Sequence, residues 1–328
     1  MNPYREPSEF TEANPAIEEM LKRERAKEIM KDDYFGPEAV KTVFGIEVLD
    51  SEIPSLPYTL EQLEQAKELG EILILRVSHD NSGRPMTMEQ INEIMQPRMK
   101  SKIFCDYRPG EGDWFKSEDF YKKDFIKTEW KLVSRSFLPD VTSKKNKEGK
   151  YVNGSRGCGY AYQTKILREW LKSIDFLEKD EESECSDKIL LELSEEVGLK
   201  FGSSAIKDYS KRWPAKKEKK FCRKIVNLKI NVRHRQSPTE ILYDWMLGFS
   251  TRGGLSVSDA EIAGSIESRL KYYGLFGDER SRVLSRSLSS RGRVVGVHFC
   301  FSYLGGRMYI FDSYASIGEW EEGLISQR

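Results

Sequence analysis

Between positions 281 and 316 the chain contains no Lys, Glu, Asn, Gln, Thr or Pro, although charged residues make up 32% of the whole. Ser, Arg, Gly, Tyr and Phe stand in their place. Within this tract Val295, Val297, Phe299, Phe301 and Tyr303 occupy alternate positions, the period of a strand with one buried face. Gly305-Gly306 then predicts a two-residue hairpin turn. In that register Tyr303 faces Met308 and Phe301 faces Ile310, which extends the apolar face. The opposite face carries Gly296, His298, Cys300, Ser302, Tyr309 and Phe311. A chain with this element near its end must supply a core for one face of an antiparallel hairpin.

The remainder reads as helices with few strands. Asn14-Pro15 starts a charged helix to about Met30, with Asn14 as N-cap and Pro15 at the first helical position. Pro37 to Phe44 is a short helix ended by Gly45, and Pro54 and Pro57 mark a linker. Thr59 caps a helix from Leu60 to Leu69, and Gly70 closes it. Ile72 to Val77 is a buried strand, followed by a turn at Asp80-Asn81-Ser82-Gly83. Thr87 with Gln90 forms a capping box for Met88 to Met95. Trp130 to Val133 is a further strand. Tyr160 to Ile174, Lys188 to Val197, Ser204 to Trp213 and Pro238 to Leu247 are helical. Ile225, Leu228, Ile230 and Val232 make a strand or a short amphipathic segment. The basic stretch Lys211 to Lys224 is a solvated connection or helix face. The expected fold class is α+β: a helical N-terminal segment over 1–57, then a mixed domain over 58–328 ending in the hairpin. The length of 328 residues is compatible with two such units.

Lys and Arg number 53, as do Asp and Glu, so the net charge is zero. Coating nucleic acid or an anionic membrane needs a positive surplus, and this chain has none. The five cysteines show no CxxC spacing, which favours a reduced setting over a disulfide framework. The start, Met1-Asn2-Pro3-Tyr4-Arg5-Glu6, has no apolar region of a signal peptide, and no apolar run reaches the ~18 residues of a membrane helix. The expectation is a cytoplasmic protein with no membrane partner and no cofactor.

Few residues suggest chemistry. His79-Asp80 follows a buried strand, where catalytic groups often sit, but no third partner is visible and a strand-end turn explains the pair. His298 and Cys300 lie two apart on one strand face. With three His in the chain and no ligand spacing elsewhere, no metal site is expected. As a thiolate–imidazole dyad the pair fails, because neighbours on one strand point outward in parallel. Gly157-Cys158-Gly159 and Gly253-Gly254 lack the frame and the Lys of a phosphate loop and read as loop glycines.

The Arg/Ser tract admits three readings. Its arginines could grip phosphates while Tyr303 and Tyr309 stack on bases. Arg and Ser could simply decorate the wet face of strands. Tyr, Ser, Gly and Arg are also the residues of binding loops, where Tyr supplies rigid amphipathic area and Ser and Gly adaptable hydrogen bonds. The candidate ligand-binding set begins with Arg286, Ser287, Ser289 and Arg291. Gly296, His298, Cys300 and Ser302 on the hairpin face continue it. Arg307, Tyr309, Phe311, Ser313 and Tyr314 on the return complete it.

Three stretches carry a resemblance. The first is Leu69-Gly70-Glu71-Ile72-Leu73-Ile74-Leu75-Arg76-Val77 with Pro85-Met86-Thr87-Met88. The second is Asp113-Trp114-Phe115-Lys116-Ser117-Glu118-Asp119-Phe120-Tyr121 with Trp130-Lys131-Leu132-Val133-Ser134. The third is Leu228-Lys229-Ile230-Asn231 with Arg235-Gln236-Ser237-Pro238-Thr239-Glu240 and Leu242-Tyr243-Asp244. In these the chain resembles a family of uncharacterised proteins from candidate-phylum bacteria whose C-terminal segment is a diversified, variable region. The resemblance implies a target protein of a diversity-generating retroelement. Its implied fold is C-type-lectin-like with residues 281–316 as the variable region. The implied function is non-enzymatic binding of a macromolecule, protein ahead of nucleic acid.

Overall fold

The computed structural model describes residues 15–98, 104–106, 113–135, 138–151, 155, 159–196, 215–251, 282–291, 293–302, 305–313, 322–323 and 327. Asn14, Tyr303, Tyr314 and the helix expected over 204–213 lie outside them. The architecture is α+β, with two sheets set among helices.

The first half is built on a small sheet. Helix α1 (Pro15–Met30) leads to strand β1 (Tyr34–Phe35) and helix α2 (Pro37–Phe44). Gly45 ends α2 with φ +73°, a left-handed backbone conformation that favours glycine. In α3 (Leu60–Glu68) Thr59 Oγ1 accepts from the Gln62 amide at 3.2 Å, and the Gln62 side chain returns the bond to the Thr59 amide at 2.9 Å. Strand β2 (Glu71–Arg76) is buried throughout, as a continuous apolar run requires when both faces are covered. It lies parallel to β1 and antiparallel to β4 (Glu129–Ser134), in the order β1-β2-β4.

β1 precedes residue 57 and β2 follows it, so the sheet is continuous across the stretch read as a linker. That stretch is strapped down. The Leu56 amide donates to Glu19 Oε1 at 2.6 Å, Lys22 Nζ donates to the Leu56 carbonyl at 2.6 Å, and Trp130 Nε1 donates to the Pro54 carbonyl at 3.1 Å. Met30 from the N-terminal side and Leu73 and Leu75 from the other lie in one core cluster.

Helix α4 (Met88–Met95) starts at Thr87, whose Oγ1 accepts from the Gln90 amide at 3.1 Å. The reciprocal half of the expected capping box is not made. The Thr87 amide donates to the Pro85 carbonyl at 2.9 Å instead, and Gln90 Nε2 donates to Asp80 Oδ2 at 3.0 Å.

Strand β3 (Phe104–Asp106) and α5 (Asp119–Lys122) lie between α4 and β4, and a run of helices follows β4. These are α6 (Tyr160–Ser173), α7 (Lys179–Glu184), α8 (Asp187–Glu196), α9 (Ala215–Val226), α10 (Lys229–His234) and α11 (Pro238–Thr251). The segment 225–232, for which a strand was one expectation, is not extended: Asn227 and Leu228 join α10 to the end of α9. Among its lysines Phe221, Cys222, Ile225 and Val226 are all buried, the i, i+1, i+4, i+5 stripe of a helix, and this stripe rather than local alternation decides the conformation. Residues Ile241 to Leu247 of α11 are all buried, so this helix is enclosed by its neighbours.

The larger sheet has the order β3-β7-β6-β5-β8, from β5 (Arg282–Leu288), β6 (Val294–Ser302), β7 (Gly305–Ser313) and β8 (Glu322–Gly323). The hairpin exists, but its pairing differs from the one expected. Ser302 pairs with Gly305, Phe301 with Gly306, Phe299 with Met308 and Val297 with Ile310. Gly305 and Gly306 therefore open β7 rather than make the turn. The observed and expected pairings differ by a slip of four residues. An even slip leaves every side chain on the same face, so the apolar alternation could not distinguish them.

Candidate binding surface

The register of β6 and β7 sorts the candidate residues. Gly296 pairs with Phe311, His298 with Tyr309, Cys300 with Arg307 and Val294 with Ser313. These positions, with Ser302, share one face of the hairpin. The other face carries Val295 and Val297, both fully buried in the main core with α11 and β2. The first face is covered at its start, since the fully buried Val294 belongs to a second cluster with Tyr160, Ala161 and Phe221.

The candidates on and after β5 serve the fold. Arg286 donates through Nη1 to the Arg235 carbonyl at 2.6 Å and through Nη2 to Glu240 Oε1 at 2.9 Å. Its amide donates to the Gln236 carbonyl at 3.0 Å. The Ser287 amide donates to Ser285 Oγ, which in turn donates to the Val295 carbonyl at 2.7 Å. Ser289 is buried and closes the β5–β6 turn through its amide, which donates to the Arg293 carbonyl at 2.8 Å. Arg291 is exposed. Of the expected phosphate-gripping arginines, then, Arg286 faces an internal carboxylate while Arg291 faces solvent.

Behind Arg286 lies a buried charge cluster. Arg76 donates in a fork to Asp244, Nε to Oδ1 at 3.0 Å and Nη2 to Oδ2 at 2.6 Å, and lies 3.3 Å from Glu240. Burial works to raise the Glu240 carboxyl, but Arg76 and Arg286 hold it below the usual range. Burial raises Asp124, beside Ser237 and Thr239, to about 6. None of this was read from the sequence, because Arg76, Glu240, Asp244 and Arg286 come from three distant segments.

Among the described residues no carboxylate is a hydrogen-bond partner of Arg235. It is fully buried and donates to Asn231 Oδ1, Gln163 Oε1 and the Tyr160 carbonyl, with its guanidinium 3.7 Å from the centre of the Tyr160 ring. A desolvated positive charge therefore sits at the first residue of α6, where the helix dipole is also positive. Cys158 precedes the N-cap, Gly159, by one residue and lies outside the described residues.

The His79 region forms a cavity of about 750 Å³ with Ile46, Leu49, Val77 and Thr128 in its walls. Ser78 Oγ lies 2.8 Å from both His79 Nδ1 and Thr128 Oγ1. Asp80 does not support His79. Burial would raise its carboxyl, but hydrogen bonds from Ser82 and Arg84 outweigh that and hold it low, fixing it in the turn. The strand-end turn accounts for this pair.

Among the described residues no group of three His, Cys, Asp or Glu side chains could hold a metal ion, and no helix is long and apolar enough to cross a membrane. Comparisons with family models, curated proteins and solved structures find no match to this chain.

Proposed function

We propose that the chain is a non-enzymatic binding protein. Its contact surface is the β6–β7 face bearing His298, Cys300, Ser302, Arg307, Tyr309 and Phe311. The observation that carries this reading is the register, which gathers these residues on one face while Val295 and Val297 anchor the other in the core. Tyr and Phe supply desolvatable area and Arg and Ser supply polar contacts, a composition suited to a protein partner. In this reading the larger sheet belongs to a C-type-lectin-like domain and 281–316 is its diversified region. Sequencing the DNA around the gene tests diversification, and the expected finding is a reverse transcriptase with a near-copy of the 3′ coding region. Finding neither removes that part of the proposal.

Phosphate binding is the competing surface chemistry, and salt separates the two. Phosphate contacts release counterions, so affinity for labelled single-stranded oligonucleotides would fall steeply as salt rises. The expected result by fluorescence anisotropy is no tight binding at physiological ionic strength. Sub-micromolar, salt-sensitive binding lost with Arg291→Ala and Arg307→Ala would replace the protein-binding reading.

A further inference from the structure

Gln327 is 2% exposed, and each of its hydrogen-bonding groups has a partner. Its amide donates to the His234 carbonyl at 3.0 Å, and its carbonyl accepts from His234 Nδ1 at 2.9 Å. Its side-chain Oε1 accepts from Arg76 Nη1 at 2.7 Å, and Nε2 donates to the carbonyls of Arg233 and Arg235, both at 3.3 Å. A single antiparallel bridge to Val133 sets it against β4, which is an edge strand among the described residues. The partners come from β2, β4 and α10, so no local turn explains the arrangement.

The socket is shaped by groups that do not need Gln327. The Arg76 guanidinium is oriented by its fork to Asp244, and the His234 ring is held from its other side by Glu181 Oε1, 3.0 Å from Nε2. The Arg233 and Arg235 carbonyls lie at the end of α10, where main-chain acceptors lack helical partners. One donor faces two acceptors, which is the complement of a carboxamide. A carboxylate would set an anionic oxygen against two carbonyls. A lysine would face Arg76, and an aliphatic side chain would give up the bonds to Arg76 Nη1 and to both carbonyls, of which the Arg235 carbonyl keeps its bond from Arg286.

We infer that this socket is a peptide-binding site selective for a glutamine side chain on an extended strand, and that the chain's own residue 327 holds it shut. The edge of β4 supplies main-chain pairing and the socket supplies specificity, the division of labour in strand addition. The site is independent of the hairpin face.

The test uses the full chain and a fluorescein-labelled peptide with the sequence of residues 322–328. Full-length Gln327→Ala loses the internal occupant and should bind the peptide at least about tenfold more tightly than the unaltered chain. A peptide with Glu in place of Gln should lose at least about tenfold in affinity for that variant. Equal binding by both chains, indifference to the Gln-to-Glu change, or no binding by Gln327→Ala would each overturn the inference. If that variant does not fold, hydrogen exchange on the unaltered chain decides. Its Gln327 amide should exchange at least about tenfold more slowly than in the free peptide, and excess unlabelled peptide should abolish that protection. Protection that is absent at the outset, or that persists in excess peptide, overturns the inference.

Discussion

At the scale of the residue, charge burial decides most of the energetics. Arg76 has no exposed surface and shares its donors among Asp244, Glu240 and Gln327. Arg76→Ala would leave two buried carboxylates without their principal partner, and by chemical denaturation should cost about 3–5 kcal/mol. Asp124 behaves oppositely, because burial favours its neutral form. Its pKa is raised from 3.8 to about 6 by the fold, so the native state holds a proton that the unfolded chain has already released between those values. The contribution of Asp124 is therefore fully present below pH 4 and is lost as pH rises through 6. Asn keeps a hydrogen-bonding side chain without the charge. The stability of Asp124→Asn relative to the unaltered chain should rise by up to about 3 kcal/mol between pH 4 and pH 7, measured by urea titration at each pH. A constant difference would mean that Asp124 is solvated.

At the scale of the element, the hairpin shows what a binary pattern can and cannot specify. Alternation at Val295, Val297 and Phe299 assigns faces, and Val295 and Val297 are in the core as that pattern requires. Register is a separate quantity, and an even slip is invisible to a period of two. Cross-linking reads it directly. With the other cysteines replaced, Phe299→Cys with Met308→Cys should form a disulfide under mild oxidation, because those residues are directly paired. Phe299→Cys with Asp312→Cys, neighbours in the register expected from Gly305-Gly306, should not. Helix ends were more legible, since capping is a local contest. Thr59 and Gln62 close their box, whereas at Thr87 the amide is taken by the Pro85 carbonyl of the preceding turn.

At the scale of the molecule, the hairpin joins the first half of the chain. Val295 and Val297 share one cluster with β2, β4 and α11, so the core does not divide at residue 57 or between the sheets. Val297→Ala should lower stability by roughly 1.5–3 kcal/mol, the worth of a buried valine side chain. Because the cluster is shared, Trp fluorescence, to which the buried Trp130 contributes, and far-UV circular dichroism should report one common midpoint before and after the change. Separate midpoints would show that the halves unfold independently.

Residue order alone determined the features whose physics acts within a few positions. Among these are the stop at Gly45, the cap at Thr59, the buried run of β2, the two faces of the hairpin and the helix from Pro238. Tertiary structure decided whatever depends on segments meeting across the chain. It placed Arg286 against Glu240 instead of solvent, covered the Val294 end of the proposed binding face, set the hairpin register, and brought Gln327 to Arg76. The reason is the range of the forces involved. Propensity, capping and alternation are summed over neighbours and can be read along a line. The worth of a buried charge or a desolvated amide depends on which distant partner arrives to satisfy it.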